Sequence, residues 1–279
     1  MTRFHYSCPM RWGDLDAQGH VNNAVLLEYL QEARVEFLLT GPPVMHQLLA
    51  TGVLVASHQV EYLAPIHYDG APVELELWVE SVGGSRFEIG YDISHAHRLT
   101  GRARTVGVAY DLTRASLRRL LPEERAEFAA RLETGVALRR LPKVSVGKHP
   151  HRFPIRVRWS DLDSYGHVNN VKFYDYAQEA RLALMAEALG FPTDSSRAGG
   201  EVWVIARQDL EYLRPLDFRL PPYEVATGVA QVGTRSITLS VELRDPATDT
   251  VYATARTVLV SPSPLTDDQR ATLARYATG

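Results

Sequence analysis

The chain has very little cysteine, little net charge and no long apolar run. Its one cysteine, Cys8, excludes an internal disulfide framework and fits a reducing compartment. A lone cysteine could act as a nucleophile, but Cys8 has no counterpart in the second copy of the repeat described below, and it reads as a small strand residue. A formal net charge of −3 leaves no electrostatic footprint for nucleic acid or a membrane surface, so neither is expected as a partner. No apolar stretch approaches the roughly 20 residues of a membrane-spanning helix. The first residues, Met1 to His5, lack the apolar run of a signal peptide. Together these absences read as a cytoplasmic chain. There is no Gly-x-Gly-x-x-Gly, phosphate loop or Gly-x-Ser-x-Gly elbow. His-x-x-x-His and Cys-x-x-Cys are missing too, and the chain's Asp-x-Asp pairs lack the further acidic residues of a calcium loop. No metal site is therefore expected.

What is present is a repeat. Arg11-Trp12-Gly13-Asp14-Leu15-Asp16-Ala17-Gln18-Gly19-His20-Val21-Asn22-Asn23 returns as Arg158-Trp159-Ser160-Asp161-Leu162-Asp163-Ser164-Tyr165-Gly166-His167-Val168-Asn169-Asn170. The match continues through Tyr29 and Tyr176, then through Gln31-Glu32-Ala33-Arg34 and Gln178-Glu179-Ala180-Arg181. The chain is two copies of one unit. With 279 residues it divides into residues 1–135, a linker at 136–150 and residues 151–279, each copy long enough for its own core. The basic pair Arg139-Arg140 reads as solvated linker.

Each copy shows the same order of elements. Phe4 to Trp12 and Phe153 to Trp159 read as strands entering the motif. Leu26, Leu30, Ala33 and Phe37 fall at helical spacing, predicting a helix over Asn23 to Leu39 that stops at Gly41-Pro42-Pro43. Its counterpart runs from Asn170 to Leu189 and stops at Gly190-Phe191-Pro192. Strands follow: Leu54 to Leu63 and Val204 to Leu213, each with a Glu-Tyr-Leu-x-Pro ending, then the alternating Val73 to Val82. The turn Gly83-Gly84-Ser85-Arg86 is matched with Gly233-Thr234-Arg235, which places Arg86 and Arg235 at equivalent positions. Phe87 to Ser94 pairs with Ile237 to Leu243, and Ala103-Arg104-Thr105-Val106 with Ala255-Arg256-Thr257-Val258. Short polar helices close the copies near Pro122 to Leu132 and Thr266 to Tyr276. Strands joined by short turns imply an antiparallel sheet, so the class is α+β with one long helix on each sheet.

The repeated residues are mostly polar, which marks them as functional. Gly19 and Gly166 allow a sharp turn. The first N–H groups of the following helix have no partner within it and suit an oxyanion. A carboxylate beside them, Asp16 or Asp163, makes an acyl-transfer site: it attacks a carbonyl carbon or directs water at it. Asp14 and Asp161 read as braces of the turn, and Asn22, Asn23, Asn169 and Asn170 as helix caps. His20 and His167 either orient the carboxylate and line the pocket or are polar core residues. Trp12 and Trp159 read as core aromatics. Glu32 and Glu179, in mid-helix, read as partners of nearby basic groups.

At these residues the chain resembles the hotdog-fold acyl-CoA thioesterases of the 4-hydroxybenzoyl-CoA thioesterase type, and its His-Val-Asn-Asn continuation resembles acyl-ACP thioesterases. The resemblance implies tandem hotdog domains, each a long central helix wrapped by an antiparallel β-sheet, paired as an intrachain pseudo-dimer whose sites combine both halves. It implies hydrolysis of an acyl thioester to free acid and CoA, with CoA as part of the substrate and no other cofactor. Asp16 and Asp163 take the position of the nucleophile or general base, and the backbone at Asn23 and Asn170 that of the oxyanion donor. His20 and His167 join the catalytic set. Gln18, Tyr165, Gly19 and Gly166 border the substrate. His58, Gln59, Arg207 and Gln208 are candidates for the strand contribution, and Arg86 and Arg235 for CoA phosphates. Acyl-ACP enzymes of this kind carry Asn two residues after the catalytic Asp; Gln18 and Tyr165 stand there, which favours CoA. An acyl-ACP thioesterase, a non-catalytic acyl-CoA sensor and a hydratase are the other readings of the fold. Family habit implies a homodimer of pseudo-dimers. The halves differ at Gln18/Tyr165, Val25/Lys172, Leu26/Phe173 and Leu27/Tyr174, which implies unequal pockets.

Overall fold

The computed structural model describes residues 3–139, 141–191 and 203–279. They form two compact units, Met1–Arg139 and Arg140–Gly279. The first contains β1 (Phe4–Cys8), a 3-10 turn (Trp12–Asp14), α1 (Val25–Leu39), α2 (Pro43–Thr51), β2 (Val53–Tyr62), β3 (Val73–Val82), β4 (Arg86–His95), β5 (Arg98–Asp111), β6 (Ser116–Leu117) and α3 (Pro122–Ala129). Its sheet runs β1-β3-β4-β5-β2, with β6 paired to β5, and every pairing within it is antiparallel. The second contains β7 (His151–Ile155), a 3-10 turn (Trp159–Asp161), α4 (Lys172–Leu189), β8 (Val204–Tyr212), β9 (Tyr223–Val232), β10 (Ser236–Arg244), β11 (Val251–Val260), α5 (Asp267–Leu273) and a last 3-10 turn (Ala274–Tyr276). Its sheet runs β7-β9-β10-β11-β8, again antiparallel. Each unit is the hotdog arrangement of a long helix against an antiparallel sheet.

The helix stripe is buried as its spacing predicts: Leu26, Leu30, Ala33 and Phe37 all lie in the core. Burial extends round the helix to Leu27, Tyr29, Arg34 and Leu38, because the sheet wraps α1 rather than lying flat beneath it. Glu32 and Glu179 are exposed on the solvent side of their helices. Along β3 the alternation holds from Val73 to Leu77 and then fails, with Trp78 and Val79 both buried. The reason is a strap across the outer face: Arg104 donates to the Val136 carbonyl at 2.7 Å, and the Gly135 N–H donates to Glu80 at 3.1 Å.

In the second unit the expected linker is not free chain. Lys143 pairs with Glu211 at 2.7 Å, Ser240 donates to the Val144 carbonyl, and Val146 is buried. A Cβ on Gly228 would collide with the Val146 carbonyl, so glycine on β9 is what admits this segment. Arg140, half of the pair read as solvated, and Pro192, part of the expected stop of α4, lie outside the described residues.

Three boundaries differ from expectation. The entering strands end at Cys8 and Ile155, short of Trp12 and Trp159, which open 3-10 turns instead. The long helices start at Val25 and Lys172, two residues late, because the Asn22 and Asn169 side chains accept the N–H groups of Ala24 (2.8 Å) and Val171 (3.3 Å) in a turn before the helix. The Gly41-Pro42-Pro43 stop conceals a second helix, since Pro43 opens α2.

Each unit is pinned by one buried bond. Tyr29 on α1 donates to Asp14 at 2.5 Å, and Tyr176 on α4 donates to Asp161 at 2.7 Å. Burial and this bond push both tyrosine hydroxyls well above the ordinary range. Replacing Tyr29 or Tyr176 by Phe is expected to cost about 1–3 kcal/mol in denaturant unfolding, because a buried carboxylate loses a donor. A tyrosine pKa raised in the folded chain contributes stability that is complete below about 10, the unfolded value, and is lost as pH rises beyond it. Stability should therefore fall above pH ~10, and less steeply in the Phe variants.

Candidate active site

The repeated motif folds as a tight hairpin leading into the long helix. Leu15 bridges Val21, and Leu162 bridges Val168. The Asp16 N–H donates to the His20 carbonyl at 2.8 Å, and the Gly19 N–H returns to the Asp16 carbonyl at 3.0 Å. The second unit repeats both bonds, Asp163 to His167 at 2.8 Å and Gly166 to Asp163 at 3.1 Å. Gly19 (φ 77°) and Gly166 (φ 83°) take the left-handed conformation that closes the turn.

The two aspartates of each motif have different surroundings. Asp14 is buried and takes four contacts: the Arg11 N–H (2.8 Å), Arg11 Nε (2.9 Å), Arg11 Nη2 (2.9 Å) and the Tyr29 hydroxyl. Asp161 is likewise buried against the Arg158 N–H (2.8 Å) and Tyr176. Each also holds the helix approach through its own carbonyl, which accepts the Asn22 or Asn169 N–H at 2.8 Å. Asp16 and Asp163 are half-buried. Oδ1 of Asp16 accepts the Gln18 N–H (2.8 Å) and the His20 N–H (3.2 Å); Oδ1 of Asp163 accepts the Tyr165 N–H (2.9 Å). Only one oxygen of each is used by the turn, which fixes the carboxylate without consuming it.

Behind the hairpin stands the helix start. Tyr62 on β2 donates to the Asn23 carbonyl at 3.0 Å, and Tyr212 on β8 to the Asn170 carbonyl at 2.6 Å. The loop after β2 holds the hairpin from the other side: the Ile66 and Leu216 carbonyls accept the Val21 and Val168 N–H groups at 2.9 Å. In the first unit the His20 ring meets His67 edge to face, centroids 4.7 Å apart. By the same loop register Asp217 occupies the corresponding place in the second unit.

The hairpin thus gathers Asp16, Gln18, Gly19 and His20, with Asn23 at the helix start, and likewise Asp163, Tyr165, Gly166, His167 and Asn170. The other expected residues are carried by the strands of each unit and the turn before β10. His58 is buried in mid-strand with Nδ1 2.9 Å from Thr105 Oγ1, and Gln208 sits in the same register opposite Thr257. Gln59 neighbours His58 on β2, opposite Arg104. Arg207 is held by Asp209 of its own strand at 2.5 Å, while burial pushes the Asp209 carboxyl up. Arg86 is exposed at the start of β4, and Arg235 donates through Nε to the Ser261 carbonyl at 3.3 Å. The two arginines are not equivalent, contrary to the sequence match: the Gly83 N–H reaches the Arg86 carbonyl and the Gly233 N–H that of Ser236, so Arg86 corresponds to Ser236 and Arg235 to Ser85. One residue of slip in the turn misled the match.

Trp12 and Trp159 also depart from expectation. Both are 75% exposed, not core. The 3-10 turn that carries Asp14 or Asp161 inward leaves the indole facing out. Cys8 is buried with its thiol pushed up to about 11, chiefly by burial, which removes it as a nucleophile at neutral pH. No group of three or more metal-ligating side chains occurs among the described residues. Sequence reasoning gave no role to Tyr29, Tyr176, Tyr62, Tyr212 or His67. The four tyrosines were visible as repeated letters, whereas His67 has no repeat to mark it.

A family model described as the thioesterase-like superfamily matches residues 10–134 and 157–262, more than half of the chain. A 1,4-dihydroxy-2-naphthoyl-CoA hydrolase of Synechococcus elongatus is 29% identical over 127 residues, which are 44% of this chain and 92% of that protein. The fold matches a 12:0-ACP thioesterase from Umbellularia californica (TM-score 0.70, 19% identity, 92% of this chain and 97% of that one). It also matches an acyl-ACP thioesterase from Bacteroides thetaiotaomicron (TM-score 0.70, 14% identity, 91% and 96%).

A Cβ on Gly19 or Gly166 would meet open space, so substitution there reports backbone conformation alone. Gly19→Ala and Gly166→Ala should each cost about 1–2 kcal/mol in denaturant unfolding. A cost near zero would contradict the left-handed turn.

Proposed function

The chain belongs to the thioesterase-like superfamily and is a thioester hydrolase; from that premise we propose that its substrates are acyl-CoA thioesters and that Asp16 and Asp163 do the chemistry. The observation that carries the second point is the unequal use of the two aspartates. Asp14 and Asp161 are buried and bonded to a tyrosine of the long helix, whereas Asp16 and Asp163 are half-buried and bonded through Oδ1 to N–H groups of their own turn. Oδ2 is then available either to bond to the thioester carbon or to take a proton from the water that does. The carbonyl oxygen gains charge, the C–S bond breaks, and CoA leaves as a thiol once its sulfur is protonated. Water supplies the oxygen of the acid product in either course.

The start of the long helix, at the backbone of Asn23 and Asn170, is where the oxyanion would rest. The tyrosines bonded to these carbonyls hold the peptide groups in place, and the helix dipole favours negative charge there. One preorganised donor of this kind is worth about 3–4 kcal/mol in the transition state. His20 and His167, bonded through their backbones to the aspartate turns, line the same hairpin.

The choice of CoA is supported by the Synechococcus relative, a CoA thioester hydrolase by name, and by Gln18 and Tyr165 two residues after the catalytic position. No helix among the described residues is long and apolar enough to cross a membrane. A reducing compartment suits the single cysteine. The two acyl sites differ in size on this reading. Phe173 packs against Tyr212 at 5.0 Å, at the start of α4, where the first unit has Leu26. The first unit should accept the bulkier acyl group.

Thiol release measured across short, long and aromatic acyl-CoAs tests the reading. At least one class should turn over, and Asp16→Asn with Asp163→Asn should lower its kcat by about 10²-fold or more. Tight binding of acyl-CoA without thiol release would make the protein a sensor instead. Full turnover in the double variant would remove the aspartates from the mechanism.

A further inference from the structure

The motif turn of each unit presents a large apolar side chain to water. Trp12 and Trp159 are each 75% exposed, in contrast with most of the chain's large apolar residues. Each is held rather than loose. Trp12 meets Tyr68 edge to face (5.5 Å, 87°), and Trp159 meets Phe218 the same way (5.6 Å, 87°). An edge-to-face contact fixes an indole while leaving ring surface uncovered. The arrangement occurs twice although its surroundings differ, with Gly13 against Ser160 and Tyr68 against Phe218.

Two neighbours indicate what the indole receives. Trp12 and Trp159 lie four residues before Asp16 and Asp163, at most about 14 Å away along the chain. The acyl arm of a thioester is apolar and belongs between helix and sheet, so the carrier arm must leave over the surface beside the carboxylate. Each indole also follows an exposed arginine, Arg11 or Arg158. Arg11 binds Asp14 through Nε and Nη2, reaches Glu28 through Nη2 at 3.3 Å, and still has its side chain 66% exposed, leaving Nη1 as the donor group for a further ligand. A held aromatic face beside an exposed guanidinium fits a base that carries phosphate.

We propose that Trp12 and Trp159 are stacking platforms for the adenine ring of coenzyme A, with Arg11 and Arg158 beside its phosphates. This rests on the acyl-CoA reading above but is read out by binding rather than by turnover. The pantetheine arm has no aromatic ring, so it serves as the control ligand.

The test is calorimetric titration of the full chain with CoA and with pantetheine. It compares the wild type, the Trp12→Ala/Trp159→Ala chain and the Trp12→Phe/Trp159→Phe chain. Both tryptophans are exposed, so neither variant should unfold. The Kd for CoA should rise about tenfold in the Ala chain and less in the Phe chain, which keeps a ring, while pantetheine shows no corresponding change. Equal CoA affinity in all three chains, equal weakening of CoA and pantetheine, or no CoA binding by the wild type would overturn the platform. A wild type that binds CoA through these rings but releases no thiol from any acyl-CoA would support the platform and overturn the hydrolase reading.

Discussion

A carboxylate taken out of water needs hydrogen-bond donors, and in each unit Oδ2 of Asp14 or Asp161 accepts both a backbone N–H and the hydroxyl of a tyrosine on the long helix. Hydrogen bonds to a charged group are worth roughly 1.5–3 kcal/mol each, against about 1 for neutral pairs. The bond to Tyr29 or Tyr176 joins two segments that the sequence separates by fifteen residues. It sets where the helix begins relative to the hairpin. Everything at the candidate site, the turn carboxylate and the helix start alike, is positioned from that join.

On the proposed reading, the second aspartate is spared for chemistry because the first does the structural work. Asp16 and Asp163 lie two residues further on, where the hairpin has come back toward the surface. Their Oδ1 atoms are fixed by turn N–H groups, which orients the carboxylate at small cost in side-chain entropy. The Tyr62 and Tyr212 bonds to the Asn23 and Asn170 carbonyls do for the helix start what Asp14 and Asp161 do for the hairpin. The candidate hairpin is thus held at both ends by tyrosines from rigid elements, an arrangement suited to the preorganised catalysis proposed for it.

Much of this was legible in the letters, and the losses have physical causes. The duplication, the helix stripe and the strand-rich remainder follow from repetition and periodicity, which survive any tertiary context. The helix starts were misplaced by two residues because Asn side chains can satisfy backbone donors before a helix as well as at its first turn. Burial of Trp12 and Trp159 was misjudged because hydrophobicity predicts the average fate of tryptophan, while the 3-10 turn decides the actual one. Arg86 and Arg235 were equated across a turn of flexible register, where backbone bonds rather than residue type define position. His67 was invisible because its relation to His20 is purely spatial. The alternation of β3 failed where the strap of residues 135–136 converts an outer face into an inner one.

The central claim is a division of labour between two aspartates two residues apart, one for the fold and one for the reaction. It is tested most directly by measuring unfolding midpoint and thiol release on the same preparations of two chains. One carries Asp14→Asn and Asp161→Asn; the other carries the same change at Asp16 and Asp163. An amide at Asp16 still offers an oxygen to the turn N–H groups, so that chain should unfold at the wild-type denaturant concentration while failing to release thiol. An amide at Asp14 turns a donor toward Arg11 or Tyr29, so that chain should unfold early. Equal loss of stability in both chains, or turnover lost with Asp14 but kept without Asp16, would contradict the account.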